Sequence, residues 1–266
     1  MRLSVFAFSV LLLCYACQPA TAEAGARTQS ASKNDLVTMQ QAAEQGDANA
    51  QFNLGMRYDL GLGVPQNYAQ AADWYRKAAA QGDVKAQFAL GVDFTFGIGV
   101  TKDSVQAANW YREAAERGDA KAQSVLGWLY QKGTGVPKDS AQAAVWYRKA
   151  AEQGDTRAQF NVGLLYSLGE GVPQDFAEAA AWYRKAAVQG NAKAQYNLGL
   201  LYALGHGVQQ DYAEAYFWIG VAAKGKVEGV QQEYIDKARD AAASYLTAEK
   251  LSQVQERMRI WMRDHP

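Results

Sequence analysis

The 266 residues are 49% hydrophobic and 20% charged, which supplies enough apolar side chain for a sizeable core and excludes a largely disordered chain. Lys and Arg total 27, and so do Asp and Glu. With no basic excess, the chain lacks the electrostatic footprint of a nucleic-acid binder.

Residues 1–22 read as a signal peptide. Arg2 gives a positive start, and Val5 to Ala16 is an apolar run too short to span a bilayer as a helix. Pro19 ends it, and Ala20-Thr21-Ala22 supplies small residues around a cleavage point after Ala22. The alternative is a lipoprotein signal cut before Cys17, although Cys14 stands where such a signal has an aliphatic residue. The expectation is therefore an exported chain, periplasmic or anchored in the outer membrane, with membrane contact only if Cys17 is lipidated. Removing 1–22, whose only charged residue is Arg2, leaves 26 basic against 27 acidic residues, a net charge of −1. Both cysteines, Cys14 and Cys17, lie in this leader, so cleavage after Ala22 leaves no disulfide framework and no thiol chemistry.

Residues 23–34 are polar and small and read as a flexible segment. Residues 35–46 read as a capping helix that lacks the tryptophan of the units after it.

From Gly46 a period of 36 residues takes over, with blocks opening at Gly46, Gly82, Gly118, Gly154 and Gly190. Twenty of the 24 glycines fall on four repeat positions and five of the seven tryptophans on one, a regularity that requires a stacked array. Each unit reads as two helices. In the first, Gly46 ends the preceding helix through the left-handed region, and Asp47 caps the next. Ala50, Leu54 and Tyr58 share one face. Gly55 on that face weakens the helix by ~1 kcal/mol relative to Ala, so a close-packed neighbour is expected to offset it. Gly61 to Pro65 is a loop. Asn67 with Gln70 reads as a capping box for the second helix, repeated at Asp103/Gln106, Asp139/Gln142, Asp175/Glu178 and Asp211/Glu214. Ala71, Trp74 and Ala78 form its predicted buried stripe. The five repeats fill 47–226. Residues 227–266 break the period and read as two C-terminal capping helices, the last capped by Thr247 with Leu251, Val254, Met258 and Trp261 as its apolar stripe.

Catalytic patterns are sparse. His206 sits in a loop where sister units have Leu62, Ile98, Thr134 and Glu170, and His265 is next to the C-terminus; neither belongs to a zinc ligand set. The G-x-G pairs, such as Gly61/Gly63, lack the preceding strand and following Lys-Ser/Thr of a phosphate loop. No G-x-S-x-G serine-hydrolase signature occurs. The chain is read as a non-enzyme without cofactor or metal. The W-Y pairs (Trp74-Tyr75, Trp110-Tyr111, Trp146-Tyr147, Trp182-Tyr183) are read as core in preference to sugar platforms, and the Arg-Lys pairs after three of them as a solvated outer face.

The pattern A-Q-x-x-L-G-x-x-Y, then G-x-G-V, then A-x-x-W-Y-x-x-A-A-x-x-G, resembles the Sel-one-like repeat family over Gly46 to about Gly225. Phe94, Thr101, Gln209 and Ile219 depart from it. The resemblance implies an all-α fold, a right-handed tetratricopeptide-like α/α superhelical solenoid of 36-residue helix-turn-helix repeats with helical caps. It also implies that the first helices line a concave groove. The groove residues are then Asn49, Lys85, Lys121, Arg157 and Lys193 in one row and Asn53, Asn161 and Asn197 one turn on. Phe52, Phe88, Phe160 and Tyr196 lie beside them, with Trp128 as an off-period anchor. Amides there suit the backbone of an extended peptide and cations its carboxylates. The implied function is a scaffold or adaptor holding a protein or peptide in the bacterial cell envelope. The alternative is a cell-wall protein, a peptidoglycan or β-lactam binder or a hydrolase, although the paired helix cysteines of β-lactam-linked relatives are missing.

Overall fold

The computed structural model describes residues 28–225 and 227–265. Residues 1–22, read as a signal peptide, with both cysteines and the two expected cleavage points, lie outside the described residues. Thirteen α-helices and no strand occur among them: α1 Thr28–Glu44, α2 Ala48–Leu60, α3 Tyr68–Ala80, α4 Val84–Phe96, α5 Ser104–Glu116, α6 Ala120–Lys132, α7 Ser140–Glu152, α8 Thr156–Leu168, α9 Phe176–Val188, α10 Ala192–Leu204, α11 Tyr212–Lys224, α12 Gln232–Ala243 and α13 Ala248–Asp264. The ten repeat helices, α2 to α11, have 13 residues each.

The chain forms two compact units that divide after Arg117. In the first, α1 to α5 pack in succession, each on the next. In the second, α6 to α12 do the same, and α13 folds back on α11.

Helix α1 begins at Thr28, seven residues before the expected start, so residues 28–34 are helical where a flexible segment was expected. No cap or apolar stripe announces that extension. Once the 35–44 turns are nucleated, further residues add at little cost, which hydropathy alone does not report.

The caps explain the regular helix lengths. Asp47, Asp83, Asp119, Asp155 and Asn191 each accept the N–H three residues on, at 2.7–2.9 Å. Gly61, Gly97, Gly133, Gly169 and Gly205 stop the first helices in the left-handed region. The second helices are capped by Asn67 and by Asp103, Asp139, Asp175 and Asp211. Only half of the predicted capping box forms. The N-cap N–H does not go to a Gln or Glu side chain; Asn67 donates it to the Tyr58 carbonyl at 2.8 Å, and Asp139, Asp175 and Asp211 repeat this at Tyr130, Tyr166 and Tyr202. The return bond thus ties the second helix to the end of the first.

The helical glycines meet the neighbour they were expected to need. A Cβ at Gly55 would stand 2.6 Å from the Tyr75 ring; at Gly91, 2.6 Å from Tyr111; at Gly127, 2.8 Å from Tyr147; and at Gly163, 2.7 Å from Tyr183. These tyrosines, 0–3% exposed, are each the deepest aromatic of their own second helix. The predicted Ala71-Trp74-Ala78 stripe is therefore corrected. The buried stripe is Ala71, Ala72, Tyr75, Ala78 and Ala79, and Trp74 sits half-exposed on its flank. One residue turns a helix by about 100°, enough to exchange Trp for Tyr at the centre of the face.

In three of the G-x-G loops the second glycine, Gly99, Gly171 or Gly207, also has a packing role. A Cβ on Gly99 would fall 2.1 Å from the Tyr68 carbonyl oxygen, and on Gly171 2.2 Å from Ser140 backbone atoms. The loop backbone lies directly against the start of the preceding unit's second helix.

Candidate functional site

The positions expected to line a groove fall into two groups. Asn49, Asn53, Lys85, Lys121 and Arg157 are exposed, and Asn161, Lys193 and Asn197 are half-buried. Trp128 on α6 is 44% exposed. The aromatics beside them are not exposed anchors. Phe52 is buried and tilted against Tyr75 at 5.7 Å, Phe88 meets Tyr111 edge-on at 5.5 Å, and Phe160 tilts against Tyr183 at 5.8 Å. Phe88, Phe160 and Tyr196 are half-buried. In the third unit Ser124 replaces this ring and donates to Asp155 at 3.1 Å. Trp128, one turn on, is an aromatic where the sister units have Met56, Val92, Leu164 and Leu200.

Several of these side chains are already engaged. Lys193 forms an ion pair with Glu228 at 2.9 Å. Lys85 Nζ lies 6.0 Å from the Phe52 ring centre. Burial pushes the Tyr183 hydroxyl above the ordinary tyrosine value, and hydrogen bonds with Ser167 and Asn197 oppose that. Burial raises the Tyr147 pKa, and the charge of Arg157 opposes that.

The outer face is more structured than a solvated surface. Lys77, Lys149 and Lys185 place Nζ over the Trp74, Trp146 and Trp182 rings at 3.7, 4.2 and 3.7 Å. Arg148 and Arg184 donate to the hydroxyls of Tyr166 and Tyr202. These cations cover tryptophan faces that a sugar would otherwise need.

A buried amide ladder, absent from the sequence reading, links successive repeats. Gln51, Gln87, Gln159 and Gln195 donate through Nε2 to the carbonyls of Ala43, Ala79, Ala151 and Ala187. The Oε1 atoms of Gln51, Gln123 and Gln159 accept from Gln81, Gln153 and Gln189 at 2.7–2.8 Å. The 30-residue spacing of paired glutamines was the available signal.

Open clefts occur among the described residues. One of about 510 Å³ lies between Arg184 and the loop Val208 to Asp211. Another, of about 350 Å³, lies between α3, α4 and α5 beside Trp110. No group of three or more His, Cys, Asp or Glu side chains able to hold a metal ion occurs among the described residues. His206 packs against Phe176 at 5.0 Å, and His265 stacks on Trp261. No described helix is long and apolar enough to cross a membrane.

Two-helix units at a 36-residue period, joined within each compact unit by regular caps and an amide ladder, define a helical repeat scaffold. The Sel1 repeat matches the chain five times in succession, over residues 48–83, 84–119, 120–155, 156–191 and 192–226. The chain belongs to the Sel1 repeat family, whose repeats serve as protein–protein interaction scaffolds. It is similar to a Sel1 repeat protein from Oxalobacter formigenes, with 34% identity and a TM-score of 0.67 over 78% of this chain and 99% of that one. It is also similar to a protective antigen with an SLR fold from uropathogenic Escherichia coli, with 35% identity and a TM-score of 0.69 over 77% of this chain. That match covers 48% of the antigen, so the chain spans about half its length. None of the curated proteins matches the chain.

Proposed function

We propose that the chain is an exported adaptor of the bacterial cell envelope that holds an extended segment of a protein partner on its first helices. The observation that carries this reading is Trp128. It is a large aromatic, 44% exposed on a first helix, at a position where sister units have Met56, Val92, Leu164 and Leu200. Tryptophan is among the side chains enriched at the energetic anchors of interfaces. Within the same compact unit, Lys121, Arg157 and Lys193 sit at one register of α6, α8 and α10. Asn161 and Asn197 follow the last two by one turn, able to meet a peptide backbone. The leader supports export. Nothing among the described residues favours the cell-wall alternative.

Site-directed photo-crosslinking tests the surface. A benzophenone amino acid replaces Trp128 in one protein and Val145 in another. Val145 is equally exposed, at 47%, but lies on the second helix α7. In envelope extract, position 128 should give a discrete polypeptide adduct and position 145 none. Adducts at 145 alone, or at neither position, would contradict the assignment.

A further inference from the structure

The second repeat breaks its own pattern at two neighbouring places. Where sister units have Lys77, Lys149 and Lys185 over a tryptophan, this one has Glu113; where they have Gln81, Gln153 and Gln189 closing the amide ladder, it has Arg117. The two replacements pair with each other. Arg117 Nη1 binds Glu113 Oε2 at 2.7 Å and the Glu113 carbonyl at 3.1 Å.

Two vacancies result. Gln87 is 1% exposed, and its Oε1 is the one buried side-chain polar atom without a hydrogen-bond partner among the described residues. Its Nε2 is held by the Ala79 carbonyl at 3.3 Å, which directs the oxygen to the position that a glutamine at 117 would occupy. The half-exposed Trp110 ring, in turn, has no lysine of its own. Three of the other repeat tryptophans carry a lysine, and Trp218 is covered by Trp261 at 5.5 Å. The 350 Å³ cleft brings these features together, lined by Gln87, Gln106, Asn109, Trp110, Glu113 and Arg117 among others.

We propose that this cleft binds the primary ammonium of a lysine side chain from a partner polypeptide, in the place that the repeat elsewhere gives to its own lysine. An aromatic face attracts an ammonium most strongly when the site is partly desolvated. Glu113 supplies the countercharge through Oε1, to which Arg117 makes no bond. Gln87 Oε1 supplies a neutral acceptor whose burial without a donor is costly. An ammonium has three donors and no acceptor, which matches a site offering two acceptors and a π face. An anionic side chain would meet the Arg117 guanidinium, already paired with Glu113, and would be opposed by Glu113 and the electron-rich ring face. This cleft lies on the α3–α5 side of the repeat, and the proposal stands apart from the first-helix surface.

The test uses the full mature chain and the peptide Ac-Gly-Lys-Gly-NH2. Its readout is the Trp110 indole N–H resonance, assigned by Trp110→Phe. The lysine peptide should shift that resonance saturably, with an apparent Kd on the order of millimolar for a single ammonium. The Nε-acetylated peptide should produce less than about a tenth of that shift at equal concentration, since the charge is gone. Glu113→Lys restores the residue of the sister units, so it should fold normally and abolish the response. Glu113→Gln should weaken binding roughly tenfold by removing the countercharge. No shift with the lysine peptide, an equal shift with the acetylated one, or an undiminished response in folded Glu113→Lys would each overturn the proposal. A larger shift with Ac-Gly-Glu-Gly-NH2 would do so too, by assigning the cleft to Arg117.

Discussion

At position 93 the repeat has a leucine in its later units and this chain has an aspartate. Leu129, Leu165 and Leu201 fill the equivalent site, and Asp93 is buried there at 6% exposure. Burial, reinforced by the Asp59 carboxylate and opposed by Arg76, pushes its pKa up to about 8. A carboxyl that holds its proton more tightly when folded stabilises the fold below its ordinary pKa near 4, and that contribution is lost as pH rises through 8. The first compact unit should therefore lose stability between pH 5 and 8, by at most ~1.4 kcal/mol per pH unit. Asp93→Leu should remove the dependence, so that its advantage in melting temperature over wild type widens with pH. A constant gap across that range would show that Asp93 is already ionised in the fold. The tryptophans allow a second comparison. Trp146 is 8% exposed and Trp74 half-exposed. Trp146→Ala should cost ~3–5 kcal/mol, and Trp74→Ala, which loses less burial and one lysine contact, about half as much. Equal losses by chemical denaturation would contradict the flank position of Trp74.

Among the elements, the glycines inside the first helices set the spacing between the two helices of a unit. Alanine is the better helix former by ~1 kcal/mol, so Gly127→Ala would stabilise an isolated helix. In the fold its methyl would stand 2.8 Å from the Tyr147 ring, and Tyr147 is fully buried. The overlap should outweigh the propensity gain and leave a net loss of ~1–3 kcal/mol. A neutral or raised midpoint in denaturant would mean that the helices separate freely. Much at this scale was readable in advance. The aspartate and glycine caps mark helix ends through specific backbone requirements, so the repeat helices begin and end as the sequence indicates. The missed features have different causes. The choice between Trp74 and Tyr75 as the central core ring turns on one step of helix rotation. The start of α1 at Thr28 carries no cap signal. The Gln51-type ladder joins residues 30 apart through side chains whose polarity alone suggests a surface. Glu113 and Arg117 were visible as departures from the repeat, yet their meaning depends on Gln87 and Trp110 lying beside them.

For the molecule as a whole, the repeat architecture follows from the sequence period, whereas the surface it offers to a partner depends on which side chains packing leaves unused. Phe52, Phe88 and Phe160 share a helix face with the groove row but are consumed by tyrosine contacts, while Trp128 is not. Export makes its own claim: the mature chain recovered from its native host should begin at Glu23, and intact mass spectrometry showing a lipid-modified Cys17 would place it on a membrane instead. The central claim is that the first-helix surface of the second compact unit holds a polypeptide. It is tested most directly by the affinity of Trp128→Ala/Arg157→Ala, relative to wild type, for the polypeptide crosslinked at position 128. Both side chains are exposed, so the variant should melt as wild type does. It should bind ~2–4 kcal/mol more weakly, from a lost aromatic anchor and a lost charge-assisted bond, and the wild-type affinity should fall with added salt. A normally folded variant that binds its partner as tightly as wild type would contradict the account.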